Sequence, residues 1–590
     1  MIEPIDRTTE TDLAEAIDPD ELRRHVDALV GLERVSGSED ERRAADYVME
    51  TLDSYGVDAT CEEFDGYVSV PERGAVTVTH PTRRTIRGIT VAFGASTPPP
   101  GVHGELVAVD ADDLLDPERH LDLDGAVALV DSLPNPSLAV AADDRGAAAV
   151  VCLSPNAHHY EGSVSPVWGT PTTETVEDLP DLPVVQLTAG EGEWLGEKLD
   201  AGPVELTVRT SVTTELRTLP CPVGRINGSE SDRYFVVGNH IDSWHEGVTD
   251  NATAVATTLE LARLFAEREP KRGLVFGFWP AHSTGRYAGS AWYADEYWQD
   301  LRENGVAYLH IDLPGLTGAN EIWYQHMAEL EDEHFDAVRE AVSFGLQEGV
   351  DSYLGSVGRP ARNSDQSFWG TGLSSLLSSA RLDPGTEEGG PIGGGWWWHT
   401  PADTRDKVDF DVLHEETKLY VALAARICES PVLPHDYTAT VDDLRRSLRD
   451  RVRTEGDAAR VDGLEPLLDE LEEGIEAATA LIERNTTVAD PVDHAFEDLQ
   501  VRLGNLLVPT LYMDREEYDQ EPKGPIGLLP SLGEAVADGR TGATERMHRF
   551  QEVKRQRAYN RVEHRLREAS DEVGRFLRRR RSGDVAATPN

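Results

Sequence analysis

Residues 234–263 read YFVVGNHIDSWHEGVTDNATAVATTLELAR. Tyr234 to Gly238 is an apolar run of strand length, and from Asn251 to Phe265 apolar positions recur at helical spacing. Between them stand two polar clusters, Asn239-His240-Ile241-Asp242-Ser243 and Thr249-Asp250-Asn251-Ala252. A strand, a polar turn and a helix in this order form one unit of an open α/β sheet, whose ligands bind at the carboxyl ends of its strands.

The same alternation continues outward. Gly273 to Trp279 and Gly305 to Asp312 read as further strands, so residues 232–433 predict a mainly parallel sheet flanked by helices. Upstream, two amphipathic helices fill Asp20 to Gly56, with Leu22, Val26, Leu29 and Val30 at helical spacing in the first. Ala75 to Phe93 alternates as strands do, and Thr97-Pro98-Pro99-Pro100-Gly101 reads as a stiff linker. From Val102 to Val212 strands alternate with short helices: strands over 125–130, 146–151 and 182–187, helices over 138–145 and 190–199. After Pro434 the chain turns helical, over 441–452, 464–484, 495–507 and a long stretch from Thr544 to Arg580. No internal repeat is present.

Polar clusters stand at several strand ends. Besides the two above, His310-Ile311-Asp312 follows a strand, and His399-Thr400-Pro401-Ala402-Asp403 follows a loop rich in glycine and tryptophan. Imidazoles and carboxylates from separate loops are what a pair of divalent metals needs, because one carboxylate can bridge two ions while His and Asp fill the remaining positions. Singly each cluster has a blander reading, the Asp as a helix cap and the His as a structural residue. Their order and their shared position at strand ends raise the set above that.

The segment VVGNHIDSWHEGVTDNATAVATTLELAR resembles the metal-binding core of the M28 family of zinc aminopeptidases and carboxypeptidases. LHIDLPG, NSDQSFWGTGLSSLL and WWWHTPADTRDKVD resemble later motifs of that family in the right order, and ERVSGSEDERRAADYVMETLDSYGVD resembles its opening helices. The strands GAVALVD, GAAAVV and LPVVQL resemble a protease-associated insert. The C-terminal helices are similar to the dimerisation domain of the transferrin-receptor and glutamate-carboxypeptidase branch.

The resemblance implies a mixed α/β peptidase domain over residues 20–96 and 213–433, an insert over 97–212 and a helical domain over 434–582. It implies two zinc ions: His240 and Asp312 on one, His399 on the other, Asp250 bridging, and Asp242 orienting His240. It further implies hydrolysis of a peptide or related amide bond at a chain end, and a homodimer formed through the helical domain.

One motif departs. Where the family places two consecutive glutamates, a general base and then a metal ligand, this chain has His282-Ser283, although the following Gly289-Ser290 landmark is kept. His282 is then a replacement ligand, as neutral imidazole allows, or the base, as its ordinary titration range allows, or a structural histidine in a reduced site. Should it be a ligand, His245 and Glu246 are the nearest alternative bases in sequence. Arg286 and Tyr287 are candidate substrate contacts, offering a fork for a carboxylate and a donor for an oxyanion; Arg362 is a second candidate cation. Trp396 to Trp398 beside His399 read either as a pocket wall or as core. The departure keeps two rivals open: a non-proteolytic amidohydrolase or cyclase on the same metal site, and a catalytically inactive binding protein.

Composition bounds the rest. Across 590 residues, 55 Lys and Arg stand against 108 Asp and Glu, a net charge of −53. The acids are dispersed, as on a protein that works in high salt, where screening removes most self-repulsion. Lysine is scarce, and apart from Arg578 to Arg581 there is no basic footprint for nucleic acid. The four cysteines are too scattered for a zinc or disulfide framework and read as buried thiols. Neither a membrane-spanning run nor a secretory leader is legible, so the expectation is a cytoplasmic protein. No HExxH, GxSxG, Walker or GxGxxG motif occurs.

Overall fold

The strands that carry the polar clusters are buried end to end, because parallel strands covered on both faces leave no side for water. The computed structural model describes residues 2, 4–342, 359–455, 461, 463–524, 527–532 and 545–582. In chain order the strands are β1 (Asp58–His80), β2 (Arg84–Thr90), β3 (Val102–Val109), β4 (Val127–Val130), β5 (Ala149–Leu153), β6 (Val184–Leu187), β7 (Glu205–Ile226), β8 (Tyr234–His240), β9 (Gly273–Trp279), β10 (Gly305–His310), β11 (Glu321–His326) and β12 (Ser374–Arg381). Every residue of β8, β9, β10 and β12 is buried.

These four pair in parallel in the order β9-β8-β10-β12, with β7 added antiparallel beside β9 and β11 beside β12. Helices Pro19–Leu29, Glu39–Ser54, Thr253–Ala266 and Phe410–Glu429 supply Leu22, Val26, Val48, Leu259 and Tyr420 to a core that meets Phe235, Val237, Phe276 and Leu309 from the sheet. Asp18 and Ser38 cap the first two of these helices through their side chains. Asp409 caps the last.

The second lobe hangs from one long ribbon. β1 and β7 run antiparallel over almost their whole lengths of 23 and 22 residues, from Asp58↔Arg225 to His80↔Glu205. Beyond the parallel strands the same ribbon continues into β2, β6, β5, β4 and β3, which return to β7 and close a ring. The sequence places the start of the insert at residue 97. In the structure β2 already pairs with β6, and Val76, Val78 and Ile86 pack with Leu106, Val127 and Val185, so this lobe begins within β1. Pairing across strands, which alternation alone does not reveal, moves the boundary.

The C-terminal helices Tyr437–Glu455, Glu465–Glu483, His494–Tyr512 and Glu545–Ser582 match the four helical stretches read from the sequence; Thr544 lies outside the described residues. They share a core of Leu444, Leu468, Leu471, Leu507, Val562 and Leu566. Cys152, Cys221 and Cys428 are buried free thiols, as expected, but Cys61 is exposed, on a stretch of β1 that pairs with β7 and lies mostly open to solvent. Among the described residues no helix is long and apolar enough to cross a membrane.

Candidate metal centre

The four clusters meet at the carboxyl edge of the parallel strands. His240 ends β8, Asp250 stands just before the helix Thr253–Ala266, Asp312 follows β10, and His399 stands in the loop after β12. His240 Nε2 is 3.0 Å from Asp250 Oδ1 and 3.5 Å from Asp312 Oδ1, while His399 Nε2 is 3.2 Å from Asp250 Oδ2. The two oxygens of Asp250 thus serve two different imidazoles.

The tautomers decide what this arrangement wants. His240 Nδ1 lies 2.9 Å from the backbone carbonyl of Asp242, and His399 Nδ1 lies 2.7 Å from that of Glu161. A carbonyl can only accept, so each Nδ1 carries a proton, and in the neutral imidazole that a metal requires each Nε2 presents a lone pair. Lone pairs of imidazole and carboxylate then face one another, and only a positive charge reconciles them. His240 Nε2 and Asp312 Oδ1 are buried without a directed hydrogen-bond partner. The donor set of imidazoles and carboxylates fits zinc. Burial alone would depress the His240 imidazole, but Asp242, Asp250 and Asp312 hold it well above its ordinary range, so without an ion the same pocket draws a proton onto Nε2 instead. Burial would likewise raise Asp312, yet His240 and His310 hold it well below the carboxylate range.

Asp242 orients His240 through its carbonyl more than through its carboxylate, whose Oδ1 lies 3.5 Å away. The carboxylate instead accepts from the backbone N–H of His282 at 3.0 and 3.1 Å and from Ser36 Oγ. Asp403, next to the His399 motif, accepts from the backbone N–H groups of Thr249 and Asp250 and fixes the loop that carries Asp250. Burial and the nearby Asp250 charge push Asp403 up to about 7.

His282 joins the site: His240, His282 and Asp312 each offer a ligand atom within 4.8 Å of the others. Its ring stacks on that of His240, with centroids 4.0 Å apart and planes 19° apart. Burial, then the His240 charge, lower its pKa, against the opposing pull of Asp365. Ser283 lines the cavity, but the loop brings no second carboxylate there.

The cavity, about 410 Å³, is lined by Asp250, His282, Asp312, Trp398, His399 and Lys523, among others. Trp398 stacks on His399 at 3.7 Å, which makes it wall, whereas Trp397 is core and gives its Nε1–H to Thr249 Oγ1. Arg286 and Tyr287 also line the cavity. Arg286 donates from Nε and Nη2 to the carbonyls of Ser165 and Ser163, and Tyr287 Oη donates to the carbonyl of Asn363, so these donors already hold the second lobe and a neighbouring loop. Arg362 is buried between Trp168 and Trp369. His245 and Glu246 do not line the cavity; Glu246 faces the backbone of Gly31.

Sequence reasoning gave Asp365, Glu161 and Lys523 no place in the site, and named His310 only as part of the cluster that holds Asp312. His310 is sealed by Tyr308 Oη at 2.9 Å and Ser364 Oγ at 2.6 Å. Lys523 opens into the cavity from the C-terminal region, where desolvation and Arg286 lower its ammonium to about 7. Backbone conformation marks the same place. Seven of the nine non-glycine residues with positive φ, including Ala281, Tyr287, Leu313 and His399, stand in or beside these loops. Each such residue costs about 1–3 kcal/mol, a cost that clusters at functional sites.

The model of the family described as Peptidase family M28 matches residues 223–424, the segment that carries all four proposed ligands. The probable lipoprotein aminopeptidase LpqL of Mycobacterium tuberculosis is 28% identical over 404 residues, covering 64% of this chain and 77% of that protein. In fold the chain is similar to an aminopeptidase from Aneurinibacillus sp. strain AM-1, with a TM-score of 0.53, 22% identity, and coverage of 70% of this chain and 94% of the other. It is also similar to a zinc aminopeptidase from Bacillus subtilis, with a TM-score of 0.51, 19% identity, and coverage of 69% and 94%.

Proposed function

Because the chain belongs to peptidase family M28, we propose that it is a metal-dependent exopeptidase that hydrolyses the amide bond at one end of a peptide, with His240, Asp250, Asp312 and His399 as the zinc ligands. The observation that carries this reading is the lone-pair geometry: two imidazole Nε2 atoms face the two oxygens of one carboxylate at 3.0 and 3.2 Å. A divalent ion held there supplies a Lewis acid for the scissile carbonyl. The protein's part is to fix the tautomers through Asp242 and Glu161, to hold Asp250 through Asp403, and to wall the cavity with Trp398.

The family's ion pair leaves one position short of a carboxylate here, at Ser283. One ion held tightly by His240, Asp250 and Asp312, and a second held weakly by His399 and Asp250, is the occupancy this supports. The same substitution favours a second reading, a non-proteolytic amidohydrolase or cyclase on this site. A panel of aminoacyl and N-acyl amides, assayed in high salt with and without chelator, separates the two. Chelator-sensitive release of a free N-terminal residue supports the exopeptidase. Turnover of N-acyl or cyclisable substrates alone supports the second reading. Absence of turnover with zinc bound rejects both, in favour of a binding protein.

The dispersed acid excess supports a high-salt working environment. The insert-like lobe reads as protease-associated, and the C-terminal helices as a dimer face. Sedimentation that finds only monomer at working salt would reject the dimer.

A further inference from the structure

His282 does not act alone. Its Nδ1 lies 2.6 Å from Asp365 Oδ2, and Asp365 is fully buried. The other oxygen, Oδ1, accepts from Ser290 Oγ at 2.6 Å; Ser290 meets Ser367 Oγ at 2.8 Å, and Ser367 accepts from Trp168 Nε1 at 2.8 Å. Both carboxylate oxygens are therefore anchored. An ionised carboxylate only accepts, so this contact puts the His282 proton on Nδ1 and leaves the lone pair on Nε2. The backbone of His282 is pinned as well, by the Asp242 carboxylate.

Nε2 has two possible uses in a site that holds an ion. The first is to bind the ion of His240 and Asp312. An imidazole binds zinc in its ring plane, about 2.0–2.1 Å from nitrogen. The His240 and His282 planes are only 19° apart with centroids 4.0 Å apart, so no point at that distance lies in both. Turning His282 toward the ion would break its bond to Asp365 and the stack together. The second use is to accept a proton.

We propose that Asp365 is a positioning residue that locks His282 in the Nδ1–H tautomer, so that Nε2 serves as the proton acceptor of the reaction and not as a metal ligand. This rests on the hydrolytic reading above. Nε2 takes a proton from the attacking water as the water oxygen bonds to the carbonyl carbon. It returns that proton to the amide nitrogen as the C–N bond breaks, so His282 ends as it began. Asp365 accepts from Nδ1 throughout and is not itself protonated, the arrangement by which a buried carboxylate orients a catalytic imidazole elsewhere. A His–Asp pair drawn from two loops thus stands in for the missing glutamate.

The test uses the full chain loaded with Zn²⁺ and its variants His282→Ala, Asp365→Asn and Ser290→Ala. Bound zinc per chain and affinity against a competing chelator are measured alongside kcat, KM and the ¹⁵N shifts of His282. The expected result is zinc affinity within about 3-fold of the parent in all variants. kcat should fall about 100-fold or more in His282→Ala, and KM should stay within about 3-fold. Asp365→Asn should lose kcat about 10- to 100-fold, and Ser290→Ala less, in the same direction. The ¹⁵N shifts should report a proton on Nδ1 in the parent and a changed tautomer balance in Asp365→Asn. Loss of zinc in His282→Ala, an unchanged kcat in Asp365→Asn, or a parent proton on Nε2 would each overturn the proposal. The tautomer and zinc readouts hold even if the parent hydrolyses no peptide, which would sink the exopeptidase reading alone.

Discussion

A single side chain accounts for the clearest departure in the site. Ser283 lines the cavity where the family resemblance expects a carboxylate ligand. Ser283→Glu is expected to raise bound zinc toward two ions per chain and to tighten the weaker one at least about tenfold, read by metal analysis and chelator competition. Unchanged stoichiometry would mean that Glu at 283 does not reach His399 and Asp250. His240, Asp250 and Asp312 were legible because each stands in a polar cluster beside an apolar strand or helix, a pattern one sequence can carry, while His399, which follows a loop rich in glycine and tryptophan, was legible through its motif. Asp365 was not legible as a partner of His282: the two are 83 positions apart, and its flanks read as loop. The anchor of His399 left no trace either, because a backbone carbonyl, that of Glu161, makes the bond and any residue supplies one. Asp242 shows the converse. Its nearness to His240 was visible, but which of its oxygens would do the orienting was not.

At the level of elements, the loop between β8 and the helix Thr253–Ala266 is held by one buried cation. Arg34 donates to the carbonyls of Ile241, Glu246 and Gly247 at 2.8 to 2.9 Å, and its own N–H reaches Ser243 Oγ. Burial lowers its guanidinium to about 10, against the pull of Asp242 and Asp403, and it stays charged at neutral pH. Hydrogen bonds to a charged group contribute about 1.5–3 kcal/mol each. Arg34→Met is therefore expected to cost at least about 2 kcal/mol in denaturant unfolding and to weaken zinc binding without touching a ligand. Loss of stability with zinc affinity unchanged would show that the loop keeps its shape unaided. β4, β5, β6, β8, β9 and β10 were read to within a few residues, since periodicity decides them, whereas β7, β11, β12 and the helix Phe410–Glu429 were not read. The pairing of β2 with β6 was not legible either, because register between distant strands depends on which faces end up buried together.

Over the whole molecule, charge and buried histidines set the response to solvent. With −53 net charges dispersed over the chain, raising KCl is expected to raise the melting temperature until screening saturates, as the Debye length falls to about 3 Å near 1 M. A flat or falling curve would remove the support for a high-salt setting. His334 is buried against Ser378, and desolvation lowers it to about 3. Its folded value lies below the unfolded one near 6.5. The stability it contributes is thus complete above about pH 6.5 and is lost as pH falls, by up to about 1.4 kcal/mol per pH unit. His334→Gln should lose correspondingly less stability than the parent between pH 6.5 and 5 in urea titrations, and parallel curves would refute the assignment.

The ribbon of β1 and β7 makes the second lobe impossible to lift out as a cassette. Excising residues 97–212 would amputate the first part of β7, strand the far end of β1 without its mate, and leave β2 with no β6 to pair with. It would also strip His399 of the Glu161 carbonyl that sets its proton. A chain engineered for modular exchange has to be cut across both long strands at a matched rung, such as Ser69 and Thr214. Any lobe grafted there must bring its own acceptor for that imidazole.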